Sequence, residues 1–511
     1  MRVLYITAEL YPWVKSGGLG DVAAALPPAL LAAGIDVRLL LPGFRGLLDA
    51  FPGLTDVARL TTPFAAERVR VGLARLPGSD DLAYLVDHPV FYDRPGNPYA
   101  GPDGGDWPDN YRRFALLGWA AAELARGADP NWRPDLLHGH DWHVGLAPAY
   151  LAASAPEAGH VPTVFTVHNL AYRGVFPAGV FPELALPPRF FSVNGIEFFG
   201  MVSFIKAGLY YADRLTTVSP TYAHEIQTPD FGWGLDGLLR SRSDALAGIL
   251  NGVDTGIWDP RHDAALPRPY GIEDAPSGKA VAKAALQHRL GLEPLADAPL
   301  FGVVSRLIPQ KGLDLVLAGL PALVAAGGQL ALLGRGDGNL EQRFTVAAAQ
   351  YRGRVAAQID YDESLAHLII GGSDVILVPS RFEPCGLTQL YALRYGSLPL
   401  VRRVGGLADT VVDATPTSLS EGTATGFAFD DETPQGLIST CGPAVALFRD
   451  RETWRRMMRR AMTRDFSWGA AARQYIAIYR ALRPDLLLPV DRGGSAIPRG
   501  SSPPRHPPRS M

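Results

Sequence analysis

"RVLYITAELYPWVKSGGLGDVAAAL", residues 2–26, begins with a short apolar run, Val3–Thr7, crosses a turn carrying Lys15, Gly17, Gly18 and Asp21, and enters an alanine-rich helical pattern. An apolar run, a glycine turn and a helix in that order form the repeating unit of a doubly wound parallel sheet. Further runs at Val37–Leu41, Leu82–Val86, Asp135–His138, Thr163–Val167 and Arg214–Val218 read as strands. They are mostly apolar, as expected of strands covered on both faces. Helical patterns such as Leu116–Arg126 and Ile205–Ala212 separate them.

The pattern then starts again. After a Pro- and Asp-rich passage from Asp254 to Pro276, strands are expected at Leu300–Val304, Gln329–Leu333, Val355–Gln358, Val375–Val378 and Leu398–Val401. The reading is α/β, with two Rossmann-like doubly wound sheets: residues 1–246 and 247–464. Ligands of such sheets bind beyond the carboxyl ends of the strands, so two facing sheets make an interdomain cleft. "SWGAAARQYIAIYRAL" has Tyr475, Ile476, Tyr479 and Leu482 at helical spacing and reads as an amphipathic helix within 465–483. The Pro-, Gly-, Ser- and Arg-rich remainder, 484–511, has little to bury and is expected to be disordered.

The chain has 511 residues, 47% hydrophobic and 19% charged, with a formal net charge of −3. Single cores stop growing near ~250–300 residues, which favours two domains. A charge near zero offers no field for a polyanion, so nucleic-acid binding is not expected. Cys385 and Cys441 are too few for a disulfide framework, and no signal-like or membrane-spanning run is present in the sequence, so a cytoplasmic location is expected.

Several loops carry residues suited to chemistry. Around Lys15–Asp21, backbone amides, a helix N-terminus and a lysine can cradle a phosphate, although a tight turn with a surface lysine fits equally. Arg306 and Lys311, just after Leu300–Val304, suit the oxygens of a diphosphate; exposed cations at a helix start are the alternative. "LLGRGDG", 332–338, is a glycine loop or a plain turn. In "SRFEPCGLTQLYALRYG", 380–396, Glu383 precedes a proline ahead of a helix, and can accept sugar hydroxyls or cap that helix. Cys385 has no adjacent base and is not read as a catalytic thiol. "HGHDWH" places His138, His140, Asp141 and His143 together, and His168 ends a strand. Hydrogen-bonding histidines at a polar cleft are preferred to a metal site, with His168 as a donor to a bound hydroxyl. Asp360-Tyr361-Asp362 resembles a metal-binding tripeptide, but the cations already present suffice for a diphosphate, and no metal or other cofactor is expected.

Together these segments resemble the bacterial glycogen synthases and plant starch synthases, retaining glucosyltransferases of GT-B fold. "KSGGLGDV", "RPGNPY", "HGHDWH", "FTVHNLAYRG", "ILNGVD", "SRLIPQKGLD" and "PSRFEPCGLTQLYALRYG" match family segments in order, from residue 1 to about 483. The resemblance implies transfer of glucose from ADP-glucose to the non-reducing end of an α-1,4-glucan, with retention. It implies catalytic roles for His168, Arg306, Lys311 and Glu383. Donor contacts would come from Lys15, Gly17, Gly18, Asp21, Asn251, Tyr361, Cys385, Gly386, Leu387 and Thr388. Tyr99, Asp141, His143 and Asn169 would line the cleft on the acceptor side, and the helix within 465–483 would cross back onto the first domain. Ser16 stands where threonine is more usual, and Asp360 where glycine is. A UDP-glucose donor, another acceptor, or a non-catalytic glucan-binding protein are the competing readings.

Overall fold

A computed structural model describes residues 1–51, 53–154 and 160–486. Its strands in chain order are β1 (Arg2–Ile6), β2 (Asp36–Pro42), β3 (Thr55–Leu60), β4 (Val69–Arg75), β5 (Leu82–Asp87), β6 (Leu136–His140), β7 (Thr163–Val167), β8 (Val175–Pro177), β9 (Glu197–Phe198), β10 (Met201–Ser203), β11 (Arg214–Thr217), β12 (Leu246–Gly248), β13 (Leu300–Val304), β14 (Gln329–Leu333), β15 (Val355–Gln358), β16 (Val375–Val378), β17 (Leu398–Arg402) and β18 (Phe427–Phe429).

A nine-stranded sheet has the order β12-β11-β7-β6-β1-β2-β5-β4-β3, and a six-stranded sheet the order β15-β14-β13-β16-β17-β18. The second is parallel throughout. The first is parallel from β12 to β5, with β4 and β3 joined antiparallel at the edge. In each sheet the winding reverses once, between β1 and β6 and between β13 and β16. Chains leaving neighbouring strands there diverge to opposite faces and open a crevice at the strands' carboxyl ends. The loops after β1, β6, β13 and β16 are those that carry Lys15, Asp141, Lys311 and Glu383.

Two apolar cores follow the two sheets, one gathering Val3 through Ile249 and the other Val253 through Met462. The first also takes in Cys385 and, from the helix Trp468–Leu482, Trp468, Ala471, Ala472, Tyr475, Ile476 and Tyr479. That helix starts at a Ser467 cap, whose side chain accepts the Ala470 N–H. It lies on Gly18–Ala32, and its Tyr479 hydroxyl bonds the buried His138 Nδ1 at 2.7 Å.

Some elements depart from the sequence reading. The antiparallel pair β3–β4, the three-stranded sheet β8-β10-β9, and the short strands β12 and β18 were not expected. β3 and the short strands are brief or half-exposed, and β4 alternates Val69, Val71 and Leu73 with Arg70 and Gly72, so no continuous apolar run announces them. The helix expected at Leu116–Arg126 spans Asn110–Ala125, because two polar residues of its first turn, Asn110 and Arg113, are buried, and Arg113 donates to the carbonyls of Phe91 and Pro98. Pro484–Leu486 form a 3-10 turn, and the rest of the expected tail, 487–511, lies outside the described residues.

Candidate active site

The loop after β1 is held from beneath by a residue that sequence reasoning passed over. Glu9 is buried, and its Oε2 accepts the N–H groups of Ser16 (2.8 Å) and Gly17 (3.1 Å), while Tyr99 donates its hydroxyl to Oε1. The Gly17 amide, expected to face a diphosphate, is instead engaged by Glu9. Lys15 Nζ lies 2.8 Å from Asp21 Oδ1. Burial raises the Asp21 carboxyl against the lowering pull of Lys15. The only advance signal for Glu9 was an acid inside an otherwise apolar frame.

On the second sheet, Lys311 ends a 3-10 turn after β13, and Gly312 next to it has φ +62. A side chain at Gly312 would meet the Pro379 carbonyl at 2.1 Å, so only glycine lets the two loops close up. Their closure brings Lys311 Nζ within 2.6 Å of Glu383 Oε2, which also accepts the Ser380 hydroxyl at 2.7 Å. Glu383 is 6% exposed, and an ion pair so desolvated is held by its added hydrogen bond. It does not cap the following helix: Thr388–Arg394 is entered through Leu387 without a side-chain cap. A cavity lined by Ser305, Lys311, Pro379, Ser380 and Thr388 opens beside this corner. Arg306 is exposed at the same strand end, and among the described residues its guanidinium has no partner.

The two corners meet across the cleft. A Cβ on Gly18 would lie 3.9 Å from Leu387 Cδ1. Tyr361, 71% exposed, donates its hydroxyl to Glu363, and Glu363 is lowered to about 2, first by its hydrogen bond to His367 and in smaller part by the field of Lys15. Asn251 donates its main-chain N–H to the Cys385 sulfur, and burial pushes the Cys385 thiol up to about 12, so it is no thiolate. Gly386 has φ +75 and packs on Gln389. Asp360 accepts the N–H of Tyr361, and Asp362 caps the helix Glu363–Gly372 and pairs with Arg289.

The histidine cluster divides by task. His138 is tied through Nε2 to Thr166 and through Nδ1 to Tyr479. His140 Nδ1 lies 3.0 Å from His168 Nε2, so one ring donates and the other accepts. Burial holds His168 and His143 down to about 3, leaving both neutral near pH 7. Asp141 adopts φ +60, a costly conformation for a residue with a Cβ. That twist lets its Oδ1 accept the His168 N–H at 2.7 Å, and the Asn169 amide also donates to the carboxyl. Burial nevertheless raises Asp141 to about 7. His143 stacks on Tyr99 at 4.7 Å, continuing the wall.

The profile described as "Starch synthase catalytic domain" matches residues 2–241, and "Glycosyl transferases group 1" matches 291–440. A glycogen synthase from Albidiferax ferrireducens is 55% identical over 499 residues, covering 95% of this chain and 99% of its own. One from Variovorax paradoxus is 56% identical over 488 residues, covering 94% and 98%. The chain belongs to the glycogen and starch synthase family. Among solved structures of this glycosyltransferase family, the catalytic domain of starch synthase IV from Arabidopsis thaliana, bound to ADP and acarbose, superposes with TM-score 0.81 at 32% identity, covering 94% of this chain and 99% of its own. A sucrose-phosphate synthase from Thermosynechococcus elongatus, 19% identical with TM-score 0.57 and covering 95% and 99%, shares the fold. The synthase is thus a hexosyltransferase of GT-B fold.

Proposed function

We propose that the protein transfers glucose from ADP-glucose to the non-reducing 4-hydroxyl of an α-1,4-glucan, with retention of configuration. The observation that supports this most directly is the meeting of the Lys15–Gly18 loop with the Lys311–Glu383 corner, each at the crevice of its own sheet. As the bond from the anomeric carbon breaks, negative charge grows on the departing diphosphate and positive character on the sugar. Lys15, Arg306 and Lys311 stabilise the first, and this needs no resident metal. The backbone carbonyl of His168 faces the second, while its neutral ring bonds a sugar hydroxyl. Glu383, oriented by Lys311 and Ser380, accepts further sugar hydroxyls.

No carboxylate is placed as a covalent nucleophile in this reading, so the acceptor hydroxyl attacks on the face the diphosphate leaves, and the diphosphate takes its proton. Tyr361 stacks on the nucleobase, and the Gly386–Thr388 amides bind phosphate or sugar. Closure of the halves excludes water that would hydrolyse the donor. No helix among the described residues is long and apolar enough to cross a membrane, which supports action in the cytoplasm. Initial rates with ADP-glucose and UDP-glucose on glycogen test the reading: preference for ADP-glucose is expected, and absence of transfer from either donor would overturn it.

A further inference from the structure

We propose that an aromatic ridge running out from the cleft mouth over the β9–β10 hairpin is a second glucan-binding surface, taking sugars several units behind the reacting end. This rests on the glucosyltransferase reading of the cleft. The β9–β10 turn is Phe199-Gly200, with φ +49 and +77. Two-residue turns with both φ positive favour Asn or Asp before the glycine, whose small polar side chains tolerate that backbone. Phe199 gains nothing of the kind and is 79% exposed. The same pairing recurs at Trp233-Gly234, with φ +52 and +81 and Trp233 38% exposed.

The two strained pairs touch. A Cβ on Gly234 would lie 2.9 Å from Phe199 Cε2 and 3.3 Å from Phe198 Cζ, so Gly234 provides the seat for both rings. Arg173 is wedged between them, its guanidinium 5.8 Å from the Phe198 ring and 5.3 Å from the Trp233 ring, with Nη1 donating to the Trp233 carbonyl at 3.1 Å. The Trp233 ring in turn meets Phe382 edge-on at 6.0 Å, and Phe382 is the chain neighbour of Glu383. The ridge is therefore continuous with the corner where transfer takes place.

Strained backbone that holds aromatic rings in water is retained where a ligand uses them. Pyranose rings present C–H faces of partial positive charge that fit the negative face of an aromatic ring, while their hydroxyls point sideways into water. A ridge of rings around an arginine matches a polymer of such units, and its continuity with the cleft names which polymer.

The test uses Phe199→Asn and Trp233→Asn, singly and together, because Asn suits each turn and removes only the ring. Glycogen affinity electrophoresis of the full chain reports binding without catalysis, and steady-state rates compare glycogen with maltotriose. The expected result is loss of retardation by glycogen and a KM for glycogen raised about tenfold, as for ~1.4 kcal/mol of lost stacking, with kcat/KM on maltotriose within about twofold of wild type. Unchanged retardation and KM for glycogen would overturn the proposal, as would equal losses on both acceptors. A change of oligomeric state by light scattering with glycogen binding intact would assign the ridge to a second copy and overturn it too. If the variants lose retardation while wild type transfers from no donor, the ridge stands and the transferase reading falls.

Discussion

At Glu9, one carboxylate oxygen serves two consecutive amides and the other a tyrosine hydroxyl, so the shape of the Lys15–Gly18 loop depends on an acid whose two oxygens both bond to protein. Glu9→Gln keeps the volume and removes the charge from two hydrogen bonds. Charge-assisted bonds contribute ~1.5–3 kcal/mol to the folded state, so the loop is loosened: KM for ADP-glucose is expected to rise about tenfold and the melting temperature to fall by a few degrees. Initial rates against donor concentration check this. Lys311→Ala acts on the chemistry itself: turnover should fall by ~10²–10³ while circular dichroism stays native, the range seen when one transition-state donor is removed. A variant turning over near the wild-type rate would remove Lys311 from the site. Lys15 and Lys311 stood out in the sequence as cations in the loops that follow apolar strands, although exposed surface lysines fitted the same pattern. Glu9 did not stand out, since its partners are amides.

The helix Trp468–Leu482 belongs by sequence to the end of the second half, yet packs in the first core. Its period announced an apolar face, and the family resemblance, not the period, said which sheet that face covers. Tyr479→Phe removes the hydroxyl bonded to His138 Nδ1 and leaves a buried ring nitrogen without that partner. A cost of ~1–3 kcal/mol is expected. It should appear as a lower unfolding midpoint and faster amide exchange along this helix, with donor KM unchanged.

Across the molecule, two carboxylates join the halves: Asp409 accepts the Ser219 hydroxyl (2.6 Å), the Thr221 N–H (3.0 Å) and the Thr221 hydroxyl (2.7 Å), and Glu225 accepts the Gly405 N–H. Asp409→Ala should loosen closure, giving a larger radius of gyration by solution scattering without donor and a higher KM for ADP-glucose. Stability should depend on pH from both sides. His138 and His143, held down to about 3, take a proton only in the unfolded chain between that value and ~6.5. Their contribution is complete above ~6.5 and is lost as pH falls, at ~1.4 kcal/mol per pH unit for each. Asp141, raised to about 7, opposes this with one proton over much of the same range, its contribution being lost as pH rises through 7. His367 is raised to about 9, against the lowering effect of its own burial, chiefly by hydrogen bonds to Asp263 and Glu363, so its contribution is complete below ~6.5 and lost toward pH 9. A maximum of melting temperature near pH 7 is expected by scanning fluorimetry, and a curve still rising toward pH 4 would refute these assignments.

The order of apolar strands and glycine turns determined two wound sheets and put Lys15, Asp141, Lys311 and Glu383 at strand ends, because burial on both faces and sharp turns leave marks in neighbouring residues. Tertiary structure alone decided that Glu9 supports the Lys15–Gly18 loop, that His140 meets His168, and that Arg173, Phe198, Phe199, Trp233 and Phe382 form one ridge. Those contacts join residues far apart in the chain, and hydrogen bonding and ring packing between them depend on sheet order, which local periodicity does not encode.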